Sequence, residues 1–217
     1  MAARFSFDAE LSALSASLLR MSSLATEAIA SAITAFEQHD TTRAEAVIKG
    51  DARLNELERE IEHQCMTLLL RQQPVARDLR IISTAMKMIT DIERIGDAAA
   101  DIAEISRHIV RDIPAVLPDI RAMAEEAQSM VCDAVEAFTL ADVAAAKKII
   151  ARDDIVDDAF NNIKKRLVSV LTEDSSMADT AIDYLMVIKY LERLGDHAVN
   201  VCEWTEYYKT GVHHTGN

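Results

Sequence analysis

Glycine and proline are scarce in this chain, whose 217 residues include five glycines and three prolines. A typical chain of this length carries roughly 25 of the two together, because average usage is about 7% and 5%. Tight turns depend on these residues, so a sheet protein with many short hairpins is disfavoured. The shortage favours long helices with few interruptions, in one or two domains.

Aromatic residues are also few, at 5% of the chain, although half of all residues are hydrophobic. Small aliphatic side chains therefore supply most of the core, and they allow helix axes to approach closely. The cysteines (Cys65, Cys132 and Cys202) are far apart and form no C-x-x-C pair. This usage is typical of a reducing compartment and gives no signal for zinc or a disulfide, so we expect a cytoplasmic protein.

Long apolar runs and an excess of positive charge are missing as well. No run approaches the roughly 18 residues that indicate a membrane-spanning helix, and residues 1–8 do not form the apolar stretch of a signal peptide. The formal net charge is −13, and such a chain is repelled by phosphate backbones and anionic membrane surfaces. We therefore expect no nucleic-acid partner and no direct insertion into a membrane.

Apolar residues recur at helical spacing along the whole chain and predict six long antiparallel helices. Polar segments or prolines separate them, and the segment 113–118, which holds two of the three prolines, is interpreted as a linker. The predicted helices span approximately residues 8–37, 42–70, 74–110, 118–140, 142–171 and 177–208.

The second half of the sequence repeats the first. Residues 91–97 read D-I-E-R-I-G-D, and 99 positions later residues 190–196 read Y-L-E-R-L-G-D. Upstream, I-K-G-D at 48–51 aligns with I-A-R-D at 150–153. This duplication predicts an all-α fold of two tandem three-helix bundles. We place the bundles in residues 1–111 and 112–208, followed by a flexible tail at 209–217.

The motif E-R-[IL]-G-D places Glu93 beside Asp97, and Glu192 beside Asp196, on one face of a helix. Two like charges at this spacing destabilise a helix by a few tenths of a kcal/mol. The glycine inside each motif costs roughly 1 kcal/mol relative to alanine. The paired carboxylates and the glycine are both unfavourable in a helix, and both occur in each repeat, which indicates a compensating interaction. A cation bound by the paired carboxylates would provide it.

Two further pairs at the same spacing lie on the partner helices: Asp51 with Asn55, and Asp153 with Asp157. Hard oxygen ligands of this kind suit Mg²⁺, Ca²⁺, Mn²⁺ or iron. Two simpler interpretations stay open at this point. The acidic faces are only solvated, as charged helix faces commonly are, or the glycines serve only the close packing of helices.

The sequence contains no catalytic motif of the familiar kinds. There is no glycine-rich phosphate loop, no G-x-S-x-G and no H-E-x-x-H. Glu60 and His63 form one E-x-x-H, whereas a di-iron bundle needs two. We therefore expect a protein that is not an enzyme, with a metal-dependent oxidase or ferroxidase-like bundle as the alternative.

The sequence resembles the PhoU family of phosphate-regulation proteins over nearly its whole length. The resemblance rests on the duplicated E-R-[IL]-G-D motif and on residues 71–80, R-Q-Q-P-V-A-R-D-L-R, which are similar to the family's R-Q-P-x-x-x-D-L-R segment. It implies two PhoU repeats in a cytoplasmic negative regulator of phosphate uptake and of the phosphate-starvation response. It further implies an adaptor between the ATPase of a phosphate ABC transporter and a sensor histidine kinase, or an accessory to another phosphate transporter.

The resemblance also implies carboxylate sites for metal clusters, with Mg, Mn, Fe or Zn as the candidate metals. Carried over by position, the implied metal ligands are Asp51, Glu93, Asp97, Asp153, Asp157, Glu192 and Asp196. Asn55 departs from the acidic pattern, so the site in the first repeat is expected to be weaker or to hold a different number of ions. A homodimer is expected, because isologous dimers are the commonest oligomers.

Overall fold

The computed structural model describes residues 2–72 and 76–212, except for the side chains of residues 2–6, 8, 71, 72, 76 and 77. Within these ranges the chain forms seven α-helices, one short 3-10 turn and no strand. The helices are α1 (Ala2–Gln38), α2 (Thr41–Gln72), α3 (Ala76–Ser106), α4 (Leu117–Leu140), α5 (Val143–Ile150), α6 (Asp153–Glu173) and α7 (Ala178–Thr210). None of the helices in the described ranges has both the length and the apolar character needed to cross a bilayer.

The helices form two three-helix bundles, which confirms the predicted fold class. One bundle consists of α1, α2 and α3, and the other of α4, the α5–α6 pair and α7. The two bundles share a core, because α3 packs along α7 and α1 packs on α4. α5 and α6 together occupy the place of the single fifth helix that the sequence predicts, and a turn at residues 151–152 separates them.

Arg152 links the turn between α5 and α6 to α4 through side-chain hydrogen bonds. Its guanidinium donates hydrogen bonds to Glu126 Oε1 at 2.7 Å, to Ser129 Oγ at 2.9 Å and to Asp133 Oδ2. Charge-assisted bonds of this kind hold a planar guanidinium in one orientation. The aligned position in the first repeat is Gly50, and there α2 continues without a break.

Several helix ends differ from the prediction by a few residues. α2 is capped by Asp40, whose carboxylate accepts a hydrogen bond from the backbone N–H of Arg43 at 2.9 Å. α3 ends at Ser106 rather than near 110, and its predicted start at Pro74 lies outside the described residues. α7 continues to Thr210 and ends at Gly211, which has the left-handed φ of 77°. Residues 213–217 of the predicted tail lie outside the described ranges.

Tyr184 on α7 is a fully buried side chain that joins the two bundles. Its ring meets the ring of Phe36 on α1 edge to face, with centroids 5.2 Å apart. Its hydroxyl donates to Asp112 Oδ1 at 2.9 Å and accepts from the backbone N–H of Ile113 at 3.4 Å. One side chain therefore fixes α7 against the first bundle and against the segment between the bundles.

Polar contacts between α3 and α7 centre on Asp91, which is 9% exposed. Asn200 Nδ2 donates to its carboxylate at 2.9 Å and Trp204 Nε1 donates at 3.1 Å. His197 Nδ1 lies 3.0 Å from the same group. A nearly buried carboxylate is stable only when it is hydrogen-bonded in this way.

The same contact recurs on the other side of the α3–α7 interface with different residues. Tyr190, which aligns with Asp91, lies near Asp101, which aligns with Asn200, and burial together with this carboxylate raises the pKa of Tyr190. The α3–α7 interface therefore has one polar pair at each of two positions related by the repeat, and α3 provides the carboxylate of both pairs.

Candidate functional site

The structure groups the predicted metal ligands into two clusters, one in each repeat. Asp51 on α2 faces α3, which carries Glu93 and Asp97, and we call these three residues the first cluster. The second cluster consists of Asp153 and Asp157 on α6 with Glu192 and Asp196 on α7. The clusters form because α2 packs on α3, and α6 packs on α7.

The glycine of each motif allows the two helices of a cluster to approach closely. A Cβ atom at Gly96 would lie 2.5 Å from Leu54 Cδ1 and 3.7 Å from Asp51 Oδ1. A Cβ atom at Gly195 would lie 2.8 Å from Asp153 Oδ1. The first glycine therefore makes room chiefly for a core leucine, and the second makes room for a carboxylate.

The two glycines are expected to respond differently to alanine. Gly96→Ala displaces Leu54, which is 2% exposed, and overpacking costs about 1–3 kcal/mol against a gain of roughly 1 kcal/mol in helix propensity. Gly195→Ala displaces only the half-buried carboxylate of Asp153, so its effect on the free energy of unfolding should be close to zero. Urea denaturation of both variants measures the difference, and equal losses in the two would contradict this assignment.

Asp51 carries an oxygen that suits a cation. Its Oδ1 is buried without a hydrogen-bond partner, whereas its Oδ2 accepts a hydrogen bond from Asn55 Nδ2 at 2.8 Å. Burial, reinforced by the charge of Asp97, raises the pKa of Asp51 above its ordinary value. A buried acceptor without a partner costs about 1–3 kcal/mol, and a hard cation would satisfy it.

Glu93 lies in a similar environment on the neighbouring helix. Burial and the charge of Asp97 raise the pKa of Glu93. Arg94 opposes this only from the surface, with its Nε 3.4 Å from Glu93 and its Nη1 3.0 Å from Asp97. Because the Arg94 side chain is 50% exposed, these ion pairs stabilise the cluster little.

Glu58 lies beside the first cluster although the sequence motifs did not identify it. Burial and nearby acidic charges, including that of Asp97, raise the pKa of Glu58, and Glu58 in turn raises the pKa of Glu93. Glu58 lies seven residues after Asp51, which places both on one face of α2. Comparison of the two repeats does not identify Glu58 either, because the aligned residue in the second repeat is Phe160.

The second cluster has the carboxylate of Asp157 where the first repeat has the amide of Asn55. Burial, together with the charges of Asp157 and Asp196, raises the pKa of Asp153 to about 6. Burial and the charge of Glu192 raise the pKa of Asp196. Burial is the main cause of both shifts, and repulsion between the carboxylates adds to it. A divalent cation would relieve that repulsion.

The donor atoms of both clusters are carboxylate oxygens, with the amide of Asn55 beside Asp51. Oxygen donors fit Mg²⁺, Mn²⁺ or iron better than Zn²⁺, which favours nitrogen and sulfur ligands. Within the described residues, no three His, Cys, Asp or Glu side chains already converge as a metal site. An ion bound at either cluster would therefore have to draw the carboxylates together by rotation of their side chains.

The lone E-x-x-H of α2 is on the surface. Glu60 and His63 are both exposed, and Glu60 Oε1 accepts a hydrogen bond from Arg53 at 3.2 Å. The geometry therefore gives no support to a di-iron centre built on this motif.

A family model described as the PhoU domain matches residues 18–106 and, a second time, residues 120–205. This chain belongs to the PhoU family. A PhoU homolog from Clostridium acetobutylicum, a phosphate-specific transport system accessory protein, is 38% identical over 94% of both chains. A PhoU homolog from a Burkholderia species with the same description is 35% identical over 95% of this chain and 89% of its own.

Solved PhoU structures have the same fold. PhoU from Pseudomonas aeruginosa, at 31% identity, superimposes with a TM-score of 0.92 and covers 95% of this chain and 100% of its own. The phosphate transport system regulatory protein PhoU from Streptococcus pneumoniae, at 29% identity, gives 0.88 over 96% of this chain and 99% of its own. The resemblance to PhoU found in the sequence is confirmed.

Proposed function

We propose that this PhoU-family chain is an accessory protein of a phosphate transport system, where it acts as a negative regulator of phosphate uptake and of the phosphate-starvation response. The observation that carries the proposal is the double PhoU-domain match, which spans most of the chain. Relatives that bear the name of a phosphate-specific transport system accessory protein over nearly their full length support it.

We further propose that the chain works by contact rather than by catalysis. In this proposal it is a cytoplasmic homodimer that bridges the ATPase of a phosphate ABC transporter and a sensor histidine kinase. Two rigidly joined bundles suit such a role, because Tyr184 and Asp91 fix them to one another and long helix faces stay available to partners.

The two acidic clusters are proposed to bind hard divalent cations, with Asp51, Glu93 and Asp97 as ligands in the first and Asp153, Asp157, Glu192 and Asp196 in the second. The buried Oδ1 of Asp51 without a partner and the raised pKa of Asp153 support this role. A bound cation would supply the positive charge that the facing carboxylates lack. It would thereby hold α2 against α3, and α6 against α7, in the form that partners recognise.

Deletion of the gene tests the regulatory function. We expect a phosphate-starvation reporter to become active in a medium rich in phosphate, and a plasmid copy of the wild-type gene to silence it. Reporter activity that does not change on deletion would contradict negative regulation.

Capture of partners from solubilised membranes tests the adaptor function separately. Tagged protein is expected to retain the transporter ATPase and the histidine kinase, identified by mass spectrometry. Retention of neither, in cells where the reporter does respond to deletion, would contradict the bridging role and leave the regulatory role intact.

A further inference from the structure

Phe160 holds two lysine side chains at the edge of the second cluster. Lys164 Nζ lies 4.9 Å from the centroid of its ring, and Lys189 Nζ lies 5.5 Å from it. Both distances are within the range of a cation–π interaction. The ring therefore provides a place where a lysine ammonium group can stay without leaving the surface between α6 and α7.

Lys189 also contacts the acidic cluster directly. Its Nζ donates a hydrogen bond to Glu192 Oε2, and the Glu192 side chain is only 16% exposed. The charge of Lys189 also opposes the raised pKa of Asp196. One ammonium group thus acts on two of the four carboxylates that are proposed to bind a cation.

The first cluster has nothing equivalent to Lys189. The aligned residue there is Thr90, and the residues aligned with Phe160 and Lys164 are Glu58 and Glu62. Where the second repeat places an aromatic ring and two lysines, the first repeat places a threonine and two glutamates. The two lysines add positive charge around the second cluster, whereas the two glutamates add negative charge around the first.

We propose that Lys189 is a built-in counter-ion of the second cluster that sets its cation affinity. It occupies Glu192 when no metal is bound and must leave that carboxylate before Glu192 can ligate an ion. The Phe160 ring keeps the displaced ammonium close by. This inference rests on the proposed metal binding, and it predicts that the two clusters fill at different concentrations of free cation.

The competition follows from the chemistry of Glu192. A carboxylate that accepts a hydrogen bond from an ammonium group has less negative charge to offer a divalent ion. An ammonium that remains nearby also repels that ion. Lys189 therefore weakens cation binding at the second cluster. At the first cluster, the amide of Asn55 weakens cation binding, whereas the nearby carboxylate of Glu58 adds negative charge.

The test isolates the second cluster in a Glu93→Gln, Asp97→Asn background and measures Mn²⁺ affinity by isothermal titration calorimetry. Adding Lys189→Thr, which introduces the residue found at position 90, is expected to raise the affinity roughly tenfold. Lys189→Arg keeps the positive charge and should leave the affinity within about twofold of the background. Lys164→Thr, which removes a lysine on the same ring, is the matched control and should also change it little.

The outcomes separate this inference from the proposed metal sites. No gain with Lys189→Thr, or an equal gain with Lys164→Thr, would overturn the role of Lys189 while the metal sites stand. Absence of Mn²⁺ binding in both the wild type and the background protein would instead overturn the metal sites. Both lysines are exposed, so the variants are expected to fold, and circular dichroism verifies this.

Discussion

Replacement of Tyr184 by alanine should lower the free energy of unfolding by about 3–5 kcal/mol, as large-to-small changes of buried aromatic residues do. The ring is fully buried and packs against Phe36 from the other bundle. Its removal therefore leaves a cavity where the two bundles meet. Urea denaturation followed by far-UV circular dichroism measures the loss.

Tyr184→Phe separates the contribution of the ring from that of the hydroxyl. It keeps the packing and removes the hydrogen bonds to Asp112 and Ile113, so a loss of about 1–2 kcal/mol is expected. Asp112 is 40% exposed, and water can replace the lost donor there. A loss as large as that of the alanine variant would show that the hydroxyl, rather than the ring, joins the bundles.

Mn²⁺ is expected to stabilise the folded protein strongly. Each independent site adds about 2.7 kcal/mol to the free energy of unfolding when the cation is present at one hundred times its dissociation constant. For a chain of this size that corresponds to a rise of about 5–10 °C in the melting temperature for each site. Differential scanning calorimetry with and without Mn²⁺ measures the shift.

Variants show which cluster carries this stabilisation. Glu192→Gln with Asp196→Asn should remove the contribution of the second cluster and leave that of the first. A second pair, Glu93→Gln with Asp97→Asn, should do the reverse. If Mn²⁺ raises the melting temperature equally in the wild type and in a protein that carries all four substitutions, the ion binds elsewhere.

The metal-free protein should show the opposite response to pH from the metal-bound one. Burial and like charges raise the pKa of Asp153 to about 6, so the native state holds this proton more tightly than the unfolded chain does. Its contribution to stability is therefore present below pH 4 or so and is lost as the pH rises to about 6. With Mn²⁺ present, protons compete with the ion, so cation-linked stability should instead increase with pH.

Asp153→Asn isolates this contribution from that of surface carboxylates such as Asp40, whose pKa is lowered. In the absence of metal, the variant should lose less stability than the wild type between about pH 4 and pH 7. Melting temperatures of both proteins over this range provide the measurement. Parallel curves for the variant and the wild type would contradict the raised pKa of Asp153.

The helical architecture could be predicted from the sequence because it depends on local periodicity and on the internal repeat. The break between α5 and α6 was not, since residues 150–153 contain neither glycine nor proline. The turn there is held by Arg152 through side chains on α4. A contact between residues so far apart in the chain leaves no local pattern.

The acidic pairs were predictable because carboxylates four residues apart share a helix face. Glu58 and Lys189 were not, because their proximity to the clusters depends on how antiparallel helices pack, and the aligned residues differ in kind. The glycines show the same limit. Their shared place in the motif suggested a single role for both. In the structure Gly96 makes room for Leu54 and Gly195 makes room for Asp153, so their roles differ.

The polar pairs between α3 and α7 make the two halves of the chain non-interchangeable. Asp91 meets Asn200, and Tyr190 meets Asp101. If two copies of the first half associated in this manner, Asp91 of one would face Asp101 of the other, and the buried carboxylate of Asp91 would meet a second negative charge in place of the amide donor of Asn200. The first half is thus disfavoured as its own partner and matches the second half instead. The differences between aligned positions 91 and 190, and between 101 and 200, therefore make the two repeats complementary rather than equivalent at this interface.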